Sequence, residues 1–184
     1  MVQSSGDEGV GCGGPNDTIF SPSSEGTCPY VLAVGATQWS RANSSSSRND
    51  STTSHSYYES STDYSGGGFS NYFATPSWQT DAVSAYFDRV TLNFTGYTVT
   101  DELNFNMSDF DFGGGVYHVG GRGYPDVSAI GESYMAYYKG RWGHVSGTSL
   151  SAPIWAALLT LVNERRLAAN KSTVGFVHPV LVSC

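Results

Sequence analysis

A turn of small residues runs Gly147-Thr148-Ser149-Leu150-Ser151-Ala152-Pro153 and leads directly into the apolar run 154–162. Gly147 permits a tight turn, and the pattern predicts a helix over about 151–169 with Pro153 tolerated near its start. Thr148 and Ser151 are expected to bond the first helical amides, which lack partners within the helix. A serine at a helix start also feels the positive end of the helix dipole, which favours developing negative charge. The stretch alone therefore fits two interpretations, an ordinary capped helix and a hydrolase nucleophile at Ser149.

The composition describes one acidic domain with few charges. The 184 residues are enough for a single domain with a sizeable core. Only 14% of them are charged, compared with about 25% in an average soluble protein. The chain has nine Lys and Arg residues and a net charge of −7, which does not suit nucleic acid binding. A surface with few carboxylates loses few ion pairs in acid, so this composition suits an acidic medium. No stretch of the sequence is long and apolar enough to cross a membrane.

Glycosylation signals and cysteines point to the secretory pathway. Six asparagines lie in Asn-x-Ser/Thr sequences, more than chance predicts for this composition. Cys12 and Cys28 flank a turn-rich loop and could form a disulfide in an oxidising compartment. Cys184 is left over, or competes for Cys12. The candidate glycosylation sites are Asn16, Asn43, Asn49, Asn93, Asn106 and Asn170.

The first residues predict that the sequence starts inside a longer protein. Glycosylation requires a signal peptide, yet residues 1–7 contain neither a basic start nor an apolar run. We therefore expect that Met1 is not the true start and that the chain is a fragment.

Apolar runs and helical spacing predict an α/β fold in which strands alternate with helices. The expected strands are 30–35 and 125–129, with a hairpin formed by 134–138 and 142–145, and an amphipathic helix is expected over 77–88. Residues 40–63 are predicted to form a Ser/Thr-rich surface loop. Residues 64–73 are interpreted as flexible. Residues 89–118 are expected to be an irregular insertion, with a possible hairpin near 95–99.

Five sequence blocks in a fixed order resemble the sedolisin family of serine-carboxyl peptidases, which includes the tripeptidyl peptidases. The fungal secreted members are the most similar, and the resemblance covers nearly the whole chain. It is weakest at 40–63 and 89–115. The blocks are Ser5-Gly6-Asp7-Glu8-Gly9, the run 29–37, the run 65–73, the run 121–129 and the run 146–153.

The resemblance implies a subtilisin-like fold, a parallel sheet with helices on both faces, and activity in acid. Residues 1–184 would form a partial peptidase catalytic domain without its N-terminal half and without the end that holds calcium, whose ligands would lie beyond Cys184. We expect such an incomplete chain to be poorly stable, with exposed apolar surface and unpaired strand edges. The complete protein would be a monomer with a propeptide. It would act on peptides or proteins outside the cell, or in an acidic vacuole or lysosome.

Carried over from the family, Ser149 is the nucleophile and Asp7 is the oxyanion-hole aspartate. An Asp can donate a hydrogen bond to an oxyanion only when it is protonated, which suits an acidic medium. The backbone N–H of Ser149 would be the second donor. Gly66, Gly67 and Gly68 resemble the edge of the substrate cleft, where bare backbone can approach a peptide. A plain flexible loop is the alternative interpretation of these three glycines.

The general base is the part of the site that the sequence does not provide. In the family it is a glutamate, with an aspartate one helical turn later, and both precede the oxyanion loop. Glu59 and Asp63 have this spacing but lie in a stretch without a helical apolar face. The chain alone is therefore predicted to be inactive.

Two other functions stay open. One is a catalytically dead fragment or binding remnant that keeps the cleft without the chemistry. The other is a His-dependent, subtilisin-like triad of Asp7, His55 and Ser149, although His55 lacks the Gly-rich setting that would position an imidazole. His118, His144 and His178 are expected at the surface or at strand ends.

Overall fold

The structure of the chain, a computed structural model, describes residues 1–11, 20–41, 56–98 and 116–182. The candidate residues Cys12, Asn16, Asn43, Asn49, His55, Asn106 and Cys184 lie outside these ranges. The predicted disulfide therefore stays a prediction. Of the candidate glycosylation sites, Asn93 and Asn170 are described, and both are exposed.

The described residues form a mixed α/β fold in which the helices follow groups of short strands. The strands are β1 (Val2–Ser4), β2 (Leu32–Arg41), β3 (Tyr57–Ser61), β4 (Gly68–Ala74), β5 (Thr95–Tyr97), β6 (Val116–His118), β7 (Gly121–Tyr124), β8 (Val127–Ile130), β9 (Tyr134–Tyr138) and β10 (Arg141–Val145). The helices are α1 (Thr80–Arg89), α2 (Thr148–Ala168) and α3 (His178–Val182).

Strand β2 is the centre of the largest sheet. It pairs in parallel with β1 and with β8, and antiparallel with β3. Its first half is the core of the molecule, because Leu32, Ala33, Val34 and Ala36 are almost completely buried. The predicted parallel pairing is present between β1, β2 and β8, but β3 turns back along β2, so the sheet as a whole is mixed.

Helix α2 packs across this sheet and contacts β1, β2 and β8. Ser151 Oγ donates to the Ala129 carbonyl at 2.9 Å, and Trp155 Nε1 donates to the Ser128 carbonyl at 2.9 Å. The expected exposed apolar surface is present, since α2 leaves Ile154, Leu158, Leu161 and Leu167 exposed. Among the residues described, no helix combines the length and the apolar character that a membrane crossing requires.

The structure corrects the predicted loops. Residues 40–63 include the end of β2 and all of β3, since Thr37 to Arg41 pair with Tyr57 to Ser61. Residues 89–118 include β5 and β6, and the described residues 95–97 pair in parallel with β6 rather than in the predicted hairpin. The segment 64–73, predicted to be flexible, contains most of β4 (Gly68–Ala74), which pairs with β7. In each case the partner strand supplies backbone hydrogen bonds that the local sequence does not indicate.

Other predictions agree with the structure. The hairpin is confirmed, with Tyr134 opposite Val145 and Tyr138 opposite Arg141. Strand β8 and helix α1 lie close to their predicted positions. Helix α2 begins at Thr148 rather than near 151, so Pro153 lies inside the helix, where it removes the hydrogen bond to the Ser149 carbonyl.

Candidate active site

The residue just before helix α2 is a glycine in a backbone conformation that other residues adopt only with strain. Gly147 has φ of 143°, in a region that favours glycine. Its N–H donates to the Gly131 carbonyl at 2.8 Å, and its own carbonyl accepts from Leu150 N at 3.0 Å. A Cβ at position 147 would lie 2.9 Å from Oδ2 of Asp7. The turn before Ser149 is therefore fixed by the residues that follow β8 on one side and by Asp7 on the other.

The first amide of α2 is capped by a residue from the other end of the chain. Oδ1 of Asp7 accepts from the backbone N of Thr148 and from its Oγ1, each at 2.8 Å. Thr148 Oγ1 in turn accepts from Gly6 N at 3.2 Å. A carboxylate at this position also interacts favourably with the helix dipole. Asp7 and the start of α2 thus form one hydrogen-bonded unit.

The prediction that Thr148 and Ser151 cap their own helix is wrong. The N-cap residue Gly147 has no side chain of its own with which to bond the first amides of α2. Thr148 is buried and bonds the Asp7 loop, while Ser151 is buried and bonds β8. Both hydroxyls are used in tertiary contacts because the strands and the Asp7 loop approach this end of the helix closely.

Ser149 is exposed, and so is Asp7. As the second residue of α2, Ser149 directly follows Thr148, which holds Asp7. The structure therefore brings the candidate nucleophile and the candidate oxyanion residue to the same helix end. The N–H of Ser149 lies in the first helical turn, where no carbonyl of the helix can accept it.

The glycine run packs against the Asp7 loop. Gly66 N donates to the Gly6 carbonyl at 2.7 Å, and Gly67 N donates to the Gly9 carbonyl at 3.0 Å. A Cβ at position 66 would lie 2.3 Å from the Ser5 carbonyl oxygen. Gly66 is buried, so it supports the Asp7 loop and cannot line an open cleft. Of the three predicted cleft glycines, Gly67 and Gly68 stay half-buried.

Two cavities lie beside Gly68 and Phe69. One has a volume of about 420 Å³ and extends along α1 to Tyr124 and Asp126. The other has a volume of about 290 Å³, is bounded by Gly67 and Gly68, and is lined mainly by the apolar residues Val10, Phe20, Leu92 and Phe94. Gly67 and Gly68 thus border concave, mostly apolar surface next to the Asp7 loop.

A tyrosine that the sequence analysis did not single out supports the same turn. Tyr64 Oη donates to the Gly131 carbonyl at 2.9 Å and to Glu132 Oε2 at 3.0 Å. Burial, and then the hydrogen bond and charge of Glu132, raise the pKa of the Tyr64 hydroxyl. Tyr64 therefore remains a donor over a wide pH range, and it holds the same Gly131 carbonyl that accepts from Gly147.

The remaining candidates for acid, base or metal do not join this site. Glu59 lies in β3, so its four-residue spacing to Asp63 does not place the two carboxylates on one helical face. The alternative triad stays a prediction, because His55 lies outside the described residues. Within the described ranges, no three His, Cys, Asp or Glu side chains are grouped so that they could hold a metal ion.

Several curated fungal and amoebal proteins are similar to this chain, although no family model matches it. Tripeptidyl-peptidase sed1 of Aspergillus fumigatus is 38% identical over 191 residues, covering 98% of this chain and 28% of the relative. Aorsin of Aspergillus oryzae is 36% identical, with the same coverage of 98% and 28%. Tripeptidyl-peptidase 1 of Dictyostelium discoideum is 37% identical, covering 98% of this chain and 24% of the relative.

The chain spans about a quarter of the length of these relatives, 28% for the two Aspergillus proteins. The alignments cover 98% of this chain in each case. The chain belongs to the sedolisin family.

Proposed function

We propose that this chain is part of the catalytic domain of an acid-acting serine-carboxyl peptidase, with Ser149 as the nucleophile and Asp7 in the oxyanion hole. The observation that carries the proposal is the pair of hydrogen bonds from Thr148 to Asp7 Oδ1, each 2.8 Å long, directly beside Ser149. The peptidase names of the relatives support the reaction class. Ser149 would form an acyl-enzyme with peptide or protein substrates, either as a tripeptidyl peptidase or as an endopeptidase.

The geometry of Asp7 is consistent with a donor role in acid. Oδ1 already accepts two hydrogen bonds from Thr148, so an added proton would sit on Oδ2. Oδ2 is the oxygen that faces Gly147, the residue two positions before Ser149. A protonated Oδ2 and the Ser149 N–H would then offer two donors to an oxyanion next to the serine. Removal of one such donor typically lowers the rate by about 10²–10³.

The proposal extends to the fold and to the complete protein. A parallel β1–β2–β8 core with α2 packed on it is consistent with a subtilisin-like architecture. The glutamate base, its aspartate partner, the propeptide and the calcium site belong to other parts of such a protein, and we assign none of them to residues of this chain. Secretion, or delivery to an acidic vacuole or lysosome, fits the proposed working pH.

The experiment is cleavage of an internally quenched peptide in acidic buffer by the purified protein that carries this chain. Ser149→Ala should lower the rate by about 10⁴-fold or more, as expected for loss of a nucleophile. Ser84→Ala, at an exposed serine of α1, is the matched control and should leave the rate unchanged. Full activity of Ser149→Ala would refute the assignment. Peptide binding without any cleavage by the unmodified protein would instead favour the binding-remnant alternative.

A further inference from the structure

Tyr64 contacts both of the segments that build the candidate active site. Its backbone carbonyl accepts from Gly9 N at 3.0 Å, and Gly9 belongs to the loop that carries Asp7. Its hydroxyl donates to the Gly131 carbonyl at 2.9 Å, in the segment that follows β8. The same Gly131 carbonyl accepts from Gly147 N at 2.8 Å. One residue therefore connects the Asp7 loop with the turn at Gly147.

Tyr64 is itself anchored through the two residues that follow it. Ser65 Oγ accepts from Ala36 N at 2.9 Å, which ties the segment to β2. Gly66 N donates to the Gly6 carbonyl at 2.7 Å, which ties it to the loop before the helix. The ring of Tyr64 therefore extends from a backbone that is held on two sides.

The hydroxyl of Tyr64 is also held in place. Glu132 Oε2 lies 3.0 Å from Tyr64 Oη, so the single hydroxyl proton is shared between this carboxylate and the Gly131 carbonyl. A carbonyl oxygen has two lone pairs, so the Gly131 carbonyl can accept from Tyr64 and from Gly147 at the same time. The peptide group of Gly131 is thus fixed between the tyrosine and the turn that precedes α2.

We propose that Tyr64 is a positioning residue of the candidate site and sets the spacing between its two oxyanion donors. Those donors, Asp7 and the Ser149 N–H, lie on the two segments that Tyr64 joins. Without the hydroxyl, the Gly131 carbonyl would keep only the Gly147 amide, and the turn could shift relative to Asp7. Small displacements of preorganised donors slow a reaction with little effect on substrate binding. The inference rests on the proposed peptidase function.

Tyr64→Phe tests the role, because it keeps the ring and removes only the hydroxyl. In the purified protein that carries this chain, kcat for an internally quenched peptide should fall roughly three- to thirtyfold. KM should change by less than about twofold, since the hydroxyl is bonded within the protein. The effect is partial because Thr148 also holds Asp7.

Two further variants separate positioning from a general loss of stability. Tyr97→Phe is the matched control, because it removes a buried hydroxyl that donates to Asn71 Oδ1 at 2.7 Å, and it should leave kcat unchanged. In an Asp7→Ala background, Tyr64→Phe should cause a much smaller further loss, because one of the donors that it positions is already absent. A merely structural role would give the same fold-change in both backgrounds.

Amide hydrogen exchange tests the contact without any cleavage. In Tyr64→Phe, the Gly147 N–H should exchange roughly three- to tenfold faster, because the carbonyl that accepts it has lost its other partner. The N–H of Thr75 donates to the Gly120 carbonyl at 2.8 Å in another part of the fold, and its exchange should stay the same.

The outcomes distinguish this inference from the function on which it rests. Unchanged exchange at Gly147, unchanged kcat in Tyr64→Phe or equal fold-changes in the two backgrounds would overturn the positioning role. If Ser149→Ala is inactive in the same experiment, the proposed function survives that result. Full activity of Ser149→Ala, or no cleavage by the unmodified protein, would instead refute the proposed function and the positioning role with it.

Discussion

Asp7 and Thr148 are 141 positions apart in the sequence, yet one carboxylate oxygen of Asp7 accepts both the backbone N–H and the hydroxyl of Thr148. Through this contact the carboxylate caps the helix that carries Ser149, and two hydrogen bonds hold it near the serine. One residue pair therefore serves the stability of the fold and the geometry of the candidate site. Substitutions at the two positions should separate these effects.

Thr148→Val should destabilise the chain, because it keeps the shape of the side chain and removes its hydroxyl. Thr148 is buried, and its Oγ1 donates to Asp7 and accepts from Gly6 N. We expect a loss of about 1–3 kcal/mol in the free energy of unfolding, measured by urea titration. Thr148→Ser keeps the hydroxyl and should lose less. Equal stability of the Val variant and the unmodified chain would contradict the structural role of this contact.

Asp7→Asn should broaden the pH range of cleavage by the protein that carries this chain. An amide donates a hydrogen bond at any pH, whereas a carboxyl group donates only when protonated. The unmodified protein should therefore lose activity as the pH rises, and the Asp7→Asn variant should lose less of it. Asp7→Ala should be slower by about 10²–10³ throughout the acidic range. Identical pH–rate profiles for the unmodified protein and the Asp7→Asn variant would exclude a donor role for this carboxyl group.

Gly66→Ala should destabilise the fold much more than Gly143→Ala. The added methyl group at position 66 would lie 2.3 Å from the Ser5 carbonyl oxygen, whereas the one at position 143 would meet nothing within 4 Å. Forcing extra volume into a packed site typically costs about 1–3 kcal/mol. Parallel urea titrations of the two variants provide the comparison. A Gly66→Ala chain as stable as Gly143→Ala would show that the glycine run does not pack on the Asp7 loop.

Alkaline pH should destabilise the chain through Tyr97. Its hydroxyl donates to Asn71 Oδ1 at 2.7 Å. Burial, and to a lesser degree the charge of Tyr72, raise the pKa of Tyr97 to about 12, above the value of about 10 expected in the unfolded chain. The folded state therefore keeps the Tyr97 proton up to a higher pH than the unfolded chain does. The resulting contribution of Tyr97 to the free energy of unfolding is complete below about pH 10 and is lost as the pH approaches 12. Tyr97→Phe should lose less stability over this interval in thermal unfolding scans.

The sequence predicts those elements whose signals are local. The hairpin at Tyr134–Tyr138 and Arg141–Val145 is visible because two β-prone runs flank Lys139-Gly140. Helix α2 is visible from its long apolar run, although the sequence does not locate its first residue. The actual start at Thr148 depends on a cap from Asp7, and a partner so far away leaves no local signal.

The errors share the same physical origin. Gly68–Ala74 contains several polar and small residues and does not alternate as a half-buried strand should, but β7 provides its backbone partners. Residues 95–97 indicate a hairpin only because alternation does not distinguish an antiparallel from a parallel partner. His178, predicted at the surface, is only 3% exposed, and nothing in its neighbourhood along the chain indicates that it lies beside the buried Asp126. Motif order alone selects Ser149 and Asp7, and tertiary contacts place them at one helix end.

The parallel pairing of β8 with β2 also sets an order of assembly during synthesis. Strand β2 ends at Arg41, but β8 begins only at Val127, and α2 follows it. Contacts between such distant segments form slowly, because a long loop must close before they contribute any stabilisation. A growing chain therefore carries Asp7 without its partner until Thr148 has been synthesised, 141 residues later. The constellation around Ser149 can form only after that part of the chain has left the ribosome, so the helix cap and the candidate site appear together and late.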